Sequence, residues 1–376
     1  MQKKVFIITG DYSGDIHAAH VVKELQKNNP DTIIEGIGGE NLKNTGIKIF
    51  SSQDKMGAFG LSLKIITDHI TLGKKVLDYL TNDYKPDLVL LIDYGAFNLK
   101  MAKFIKKKTP ETKIFYYIPP QIWASRKWRI RTVKKYIDKV LCIFPFEIEL
   151  YKSYGIDVAY CGHPLVKQLP PPANREEFFK KHNLDLTKKL VSVFPGSRTI
   201  ELKMLMDTFM KSARLLQKRH PDLQIVVSQA PSIKDNVFDK YKSKCNFKVI
   251  KGENHAMLSC SDALMLASGT VALEASLYKT PMIISYKGPW LFYLIYLLVR
   301  CINRVSLPNI ITNQDIVPEL IQWKSNPDTI AYNLEKLLYN KVYRDDNISK
   351  LGDVQNKLSE KYSAVEVAKQ ICEELK

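Results

Sequence analysis

Short apolar runs alternate with amphipathic stretches along the first part of this 376-residue chain. Val5–Thr9, Thr32–Ile37, Leu88–Asp93, Lys113–Ile118, Lys139–Phe144 and Val158–Cys161 predict buried strands. Asp15–Asn28, Leu61–Leu80, Phe97–Lys107 and Arg129–Tyr136 carry the helical period between them. Gly162-His163-Pro164 stops the alternation, and a polar passage centred on Pro170-Pro171-Pro172 predicts a linker. The pattern then restarts with strands at Leu190–Phe194, Leu223–Ser228, Phe247–Ile250, Ala263–Ala267 and Met282–Tyr286. Polar amphipathic helices are expected from about Asp315 to the end. Strands alternating with helices imply parallel sheets covered on both faces. The expected architecture is therefore α/β, with two Rossmann-like doubly wound domains facing across a cleft. Residues 1–165 and 166–350 form the two domains, and helices in 351–376 pack back on the first domain or on a partner chain. In such sheets ligands bind beyond the carboxyl ends of the strands.

Composition narrows the partners without choosing one. A hydrophobic content of 45% with 25% charged residues excludes a disordered chain. The formal net charge of +17 favours an anionic partner, whether nucleic acid, an acidic membrane surface or a phosphorylated substrate. The six cysteines form no C-x-x-C pair, which points away from a zinc or disulfide framework and toward a reducing cytoplasm. His17 and His20 share a helix face, but no third ligand stands near them, so no metal is expected. The apolar run Trp290–Val299, flanked by Lys287, Arg300 and Arg304, falls well short of the ~20 residues that span a bilayer. It reads either as a core helix or as one lying in a membrane surface with Trp290, Phe292 and Tyr293 inserted. The small apolar patch Met56–Leu61 is a second candidate for acyl chains.

The candidate chemistry sits where predicted strands run into predicted helices. Ala263–Ala267 breaks at Ser268-Gly269-Thr270, and Leu190–Phe194 breaks at Pro195-Gly196-Ser197-Arg198. Both turns place backbone N–H groups at a helix start, which suits a phosphate or diphosphate, and Arg198 adds a permanent cation. Ordinary capped βα turns have the same look. In the first domain, Gly10-Asp11-Tyr12-Ser13-Gly14-Asp15 is glycine-rich without dinucleotide spacing, and Asp15 reads as the helix cap, leaving Asp11 without a structural excuse. Asp93 ends a buried strand; it is a general base in a partly desolvated site or a cap for the helix beginning near Phe97. Gln121–Arg131 interleaves Trp123 and Trp128 with Arg126, Arg129 and Arg131, fit for single-stranded nucleic acid or another phosphorylated ligand. No recognised nucleic-acid motif accompanies it, so nucleic acid is not expected as the partner.

Eight of these segments, in order, resemble the lipid-A-disaccharide synthase family. They are Gly10–Asp15, Ile92–Asn98, Ile118–Ala124, Pro145-Phe146-Glu147, Gly162-His163, Pro195–Arg198, Ala267–Glu274 and Val305–Asn309. The resemblance implies a GT-B fold and inverting, metal-independent transfer. It passes 2,3-diacylglucosamine from its UDP derivative to the 6-hydroxyl of 2,3-diacylglucosamine 1-phosphate, releasing UDP. It implies catalytic roles for Asp93 and Asp11. UDP-sugar contacts fall to Gly196, Ser197, Arg198, Ser268, Gly269, Thr270, Glu274 and Asn309, and acceptor contacts to Ser13, Asp15, Trp123, Arg126 and Arg129. No cofactor is implied. The partners are the lipid substrates and the inner-leaflet surface, for a cytoplasmic, peripherally membrane-associated monomer or homodimer. Asp11 stands where the family usually has Glu and Tyr12 where it has Ala. Gly95-Ala96 replaces Pro followed by an acidic residue or Gly, and Ser125 replaces a common aromatic. All four departures lie on the acceptor side. The alternatives are another GT-B UDP-sugar enzyme, such as a 2-epimerase or a transferase with a soluble acceptor, a UDP-binding homologue without activity, and a basic nucleic-acid-binding protein.

Overall fold

A computed structural model describes residues 2–53, 63–243, 245–290, 293, 297, 300–358 and 361–376. The chain divides into two compact units, Met1–Pro164 with Leu358–Lys376, and Leu165–Lys357.

The first unit is built on seven strands: β1 (Lys4–Ile8), β2 (Ile33–Gly38), β3 (Lys48–Ser52), β4 (Leu88–Ile92), β5 (Lys113–Tyr117), β6 (Lys139–Cys142) and β7 (Val158–Tyr160). They lie in the order β3-β2-β1-β4-β5-β6-β7, and every pairing is parallel. The helices are α1 (Tyr12–Asn28), α2 (Glu40–Lys43), α3 (Leu63–Tyr79), α4 (Gly95–Lys108), α5 (Ile130–Tyr136) and α6 (Glu147–Ser153). Strands buried on both faces need continuous apolar runs. Val5–Ile8 and Leu88–Ile92 supply them and are wholly buried. The helix Ser363–Glu374 completes this unit by packing on α1. Its Ser363 hydroxyl lies 2.6 Å from Tyr117 Oη, and Glu374 pairs with Lys113 at 3.0 Å.

The second unit repeats the plan with β8 (Leu190–Phe194), β9 (Gln224–Gln229), β10 (Lys248–Lys251), β11 (Ala263–Ala267), β12 (Met282–Tyr286) and β13 (Glu319–Ile321). The order is β10-β9-β8-β11-β12-β13, again all parallel. Helices α7 (Leu165–Gln168), α8 (Arg175–Lys181), α9 (Thr199–Arg219), α10 (Asn254–Cys260) and α11 (Val271–Leu277) connect or cover the strands. Leu202, Leu205, Phe209 and Leu216 of α9 reach its core, with Leu334 and Leu337 from the helix Pro327–Tyr339.

Two strands escape the hydrophobic pattern. The sheet edge β3 is only partly buried and so carries no apolar run, and β13 is three residues long. Asp11 rather than Asp15 caps α1, accepting from Gly14 N at 2.7 Å, and the helix therefore starts three residues earlier than its pattern predicts.

Candidate active site

In each unit the strand order reverses direction once, between β1 and β4 in the first and between β8 and β11 in the second. Loops leaving adjacent strands at such a point diverge to opposite faces and open a crevice. The loop after β1 carries Asp11, the loop after β4 carries Asp93, and the loops after β8 and β11 carry Pro195–Arg198 and Ser268–Thr270.

In the first unit Asp93 and Tyr94 both sit in the left-handed region, at φ 47° and 49°. For a bulky residue such as Tyr94 that conformation costs on the order of 1–3 kcal/mol, so the surroundings must hold it. They do so from three sides. Asn98 Nδ2 and Tyr116 Oη donate to the Asp93 carbonyl at 2.8 and 2.7 Å. The Tyr94 ring lies against Gly10, where a Cβ would meet ring carbon at 2.2 Å. His69 of α3 stacks on that ring, with Nε2 2.6 Å from the Tyr94 hydroxyl. The cap on α4 is Tyr94, without a side-chain bond, so the capping role considered for Asp93 is not observed. The Asp93 Oδ1 accepts the adjoining Tyr94 N–H, at 2.7 Å. Burial, and then the like charge of Asp11, push the Asp93 carboxyl up to about 6, and the Tyr94 N–H opposes the shift.

Asp93 lines a cavity of ≈270 Å³ with Gly95, Pro120, Gln121, Ile122, Ser125, Arg126 and Arg129. Arg126 and Arg129 stand in its wall. Arg126 itself has φ 56°, and burial followed by the neighbouring Arg126 charge lowers the Arg129 guanidinium from its usual value. Two cations and an elevated carboxyl thus share one small cavity, an arrangement suited to a hydroxylated, phosphorylated ligand.

Three residues expected on the acceptor side, Asp15, Trp123 and Ser13, do not line this cavity. The Asp15 carboxylate is fully buried and anchors the β2–α2 turn, accepting from Gly39 N at 2.6 Å, Asn41 N at 3.0 Å, Asn41 Nδ2 at 2.9 Å and Leu42 N at 3.2 Å. Trp123 is buried, and its indole N–H donates to Glu147 at 2.9 Å. Ser13 is exposed on α1, 3.2 Å from His17 Nε2. His163 is buried, which pushes its imidazole down to about 3 and keeps it neutral.

In the second unit Gly196 has φ +105°, and a Cβ there would meet Glu201 Oε2 at 2.2 Å. Only glycine fits. Glu201 reaches back to accept from Ser197 N at 3.0 Å and Arg198 N at 3.3 Å, fixing the turn at the start of α9. The Arg198 side chain is 77% exposed and, among the described residues, pairs with Glu201 at 3.5 Å. Nothing lies within 4 Å of a Cβ built on Gly269, and Thr270 is also exposed. Glu274, on the first turn of α11, is mostly buried, which raises its carboxyl from the usual value. Asn309 is buried and internally occupied. It donates to Val317 O and Glu319 Oε1, both at 2.9 Å, and accepts from Val317 N at 2.9 Å. Glu319 also takes the Val305 and Ser306 N–H groups at 3.0 and 2.8 Å, so it organises the Val305–Asn309 segment. Among the described residues no three His, Cys, Asp or Glu side chains cluster as a metal site.

Trp290 is 60% exposed, so this part of the apolar run is not a core helix. It stacks on Trp323, itself 61% exposed, at 5.9 Å, with Tyr293 edge-on to both rings. Gly288 N and Gln322 Oε1 at 3.0 Å, with Gln322 Nε2 and Gly288 O at 3.1 Å, clamp the two segments together. Phe292 and the Met56–Leu61 patch lie outside the described residues. Among those described, no helix is long and apolar enough to cross a membrane.

Sequence reasoning assigned no role to Glu147, Glu201, Glu319 or Trp323. Glu201 carries a legible signal, a glutamate three residues after a helix start. The others depend on contacts between segments distant in sequence.

The family model described as lipid-A-disaccharide synthetase matches residues 5–374. The lipid-A-disaccharide synthase of Coxiella burnetii (strain CbuK_Q154) is 35% identical over 370 residues, covering 98% of this chain and 97% of its own. That of Anaeromyxobacter dehalogenans (strain 2CP-C) is 32% identical over 372 residues, with 98% and 96% covered. Among solved structures, UDP-GlcNAc 2-epimerase from Neisseria meningitidis bound to UDP-GlcNAc superposes with a TM-score of 0.63 at 15% identity, covering 99% of both chains. That likeness shows the fold, two parallel-sheet α/β domains of the GT-B class. Matched over nearly all of its length, the chain belongs to the lipid-A-disaccharide synthase family, glycosyltransferases of lipid A biosynthesis.

Proposed function

We propose that this protein transfers 2,3-diacylglucosamine from its UDP derivative to 2,3-diacylglucosamine 1-phosphate with inversion, giving the β-1′,6-linked disaccharide 1-phosphate and UDP. The observation that carries this reading is the Asp93 cavity, in which an elevated carboxyl and the guanidinium pair Arg126 and Arg129 meet at a strand-order reversal. The acceptor's phosphate binds the two arginines, and its 6-hydroxyl lies against Asp93. Asp93 takes the hydroxyl proton as the oxygen bonds to the donor's anomeric carbon. The bond from that carbon to the diphosphate oxygen breaks, and UDP leaves with the electron pair. Arg198 and the Ser197, Gly269 and Thr270 backbone bind the diphosphate and stabilise its growing charge. Ser268 and Glu274 border the nucleotide. Asp11 keeps the Asp93 carboxyl elevated. Asn309, whose polar atoms are spent on Val317 and Glu319, shapes the nucleotide site from beneath it.

The stacked Trp290 and Trp323 with Tyr293 suit the inner-leaflet surface, where acyl chains are collected by a peripherally bound cytoplasmic enzyme. A 2-epimerase reaction has no phosphorylated acceptor and gives no use to paired cations beside the base.

The test is UDP release from UDP-2,3-diacylglucosamine and 2,3-diacylglucosamine 1-phosphate in detergent. Release that requires both lipids supports the reading. Release without the acceptor, or none at all, sinks it.

A further inference from the structure

The wall of the Asp93 cavity is largely a segment without regular structure. Gln121, Ile122, Ser125 and Arg126 all belong to it, and its backbone bonds are mostly local, such as Ala124 N to Gln121 O at 3.1 Å. Turn bonds of this kind shape a loop but do not fix its place on a sheet. Something must moor it. The side chain that turns inward is Trp123, which meets the Phe144 and Phe146 rings edge-on, with centroids 6.0 and 5.2 Å away. Its indole N–H has one partner in that apolar pocket, Glu147 Oε1 at 2.9 Å. The other carboxyl oxygen of Glu147 accepts from Phe144 N at 3.1 Å. Tyr151, one α6 turn further on, brings its hydroxyl to within 3.5 Å of Pro120 O at the other end of the loop.

A carboxyl that is 1% exposed is an expensive way to begin a helix. Ser, Thr or Asn would cap α6 without a buried ionisable group. What Glu147 does that those residues cannot is span the gap between α6 and the cavity loop and accept the indole hydrogen. We infer that Glu147 is a positioning residue for the acceptor cavity: through the Trp123 indole it sets the height of the Gln121–Arg126 loop, and with it the Arg126 and Arg129 guanidinium groups relative to Asp93. This inference rests on the proposed acceptor reading of that cavity. Displacing reacting groups by about 1 Å costs as much as a hundredfold in rate, so a mooring this close to the site is read in kinetics.

The variants that separate this role from simple packing are Trp123→Phe, which keeps an aromatic ring and removes the N–H, and Glu147→Ala. Glu147→Gln keeps an acceptor for the indole. In the two-lipid assay, Trp123→Phe and Glu147→Ala are expected to raise the acceptor KM on the order of tenfold, with the donor KM within about twofold of native. Glu147→Gln is expected to recover most of that loss. A merely structural role would lower the melting temperature and scale activity with the folded fraction, leaving both KM values alone, and that result overturns the inference. If Glu147→Ala does not fold, Trp123→Phe decides alone. Arg129→Ala is the control for the underlying reading. If it raises the acceptor KM while Trp123→Phe does not, only the mooring is wrong. If neither changes it, the acceptor reading and the mooring fall together.

Discussion

The two units share one plan and equip their strand-order reversals in opposite ways. In the first, the loops after β1 and β4 press together: Tyr94 lies on Gly10, two consecutive side-chain-bearing residues are held left-handed, and Asp93 is pushed up to about 6 by burial and by Asp11. In the second, the turn after β8 is fixed from behind by Glu201, while Arg198 and Gly269 face open space. A proton acceptor gains from a confined, partly dry setting that brings its affinity toward neutrality. A group that receives and releases a charged nucleotide gains from an open, backbone-lined turn with a cation that can swing in. The same topology serves both because the sheet fixes only where the loops emerge.

Removing the confined group should hurt most. Asp93→Ala is expected to lower kcat by about 10²–10⁴-fold while UDP affinity, measured by calorimetry, stays native. Equal losses of UDP binding would erase the distinction between the two sites. Arg198→Ala is expected to cost roughly 10²-fold in kcat and to weaken UDP binding as well, the reverse signature. If it spared UDP, the open turn would not be the diphosphate site.

The next effect is on pH rather than on rate. Asp93 must be ionised to accept a proton, so kcat/KM should fall as pH drops through about 6. Asp11→Asn removes the like charge that raises that carboxyl and, since Asn also caps helices, keeps α1 intact. The acid limb should then move to lower pH. An unmoved limb would show that Asp11 has no electrostatic hold on Asp93. The smallest effect is expected from Trp323→Ala. It should weaken co-sedimentation with anionic phospholipid vesicles and leave turnover in detergent within about twofold, because Trp323 is not among the residues assigned to either substrate.

Much of this arrangement is legible in the sequence because doubly buried parallel strands must be apolar throughout. Val5–Ile8, Leu88–Ile92, Leu190–Phe194 and Ala263–Ala267 announce themselves, and the residue after each run falls at the carboxyl end of its strand, the edge where sheets of this kind bind ligands. Asp93 and the two phosphate-type turns follow directly. Local pattern does not say which of two neighbouring carboxylates is spent on the fold. Asp15 has the spacing of a cap, yet it faces inward across α1 onto the backbone of residues 39–42, while Asp11 does the capping. Trp123 and Asn309 mislead in the same way. Both sit in family motifs, yet their polar groups are bound within the protein, to Glu147 and Glu319, 24 and 10 residues away. The strands β3 and β13 are invisible for a simpler reason: an edge strand of three to five residues, half in water, has no periodicity to show.

The helix Ser363–Glu374 has a consequence for how the protein is made. It covers α1 although the whole second unit lies between the two in sequence. The coat of the seven-stranded sheet is therefore incomplete until synthesis has passed through the second unit and reached Ser363–Glu374. Deleting Ser363–Glu374 would leave the second unit whole and strip the first, which carries Asp93.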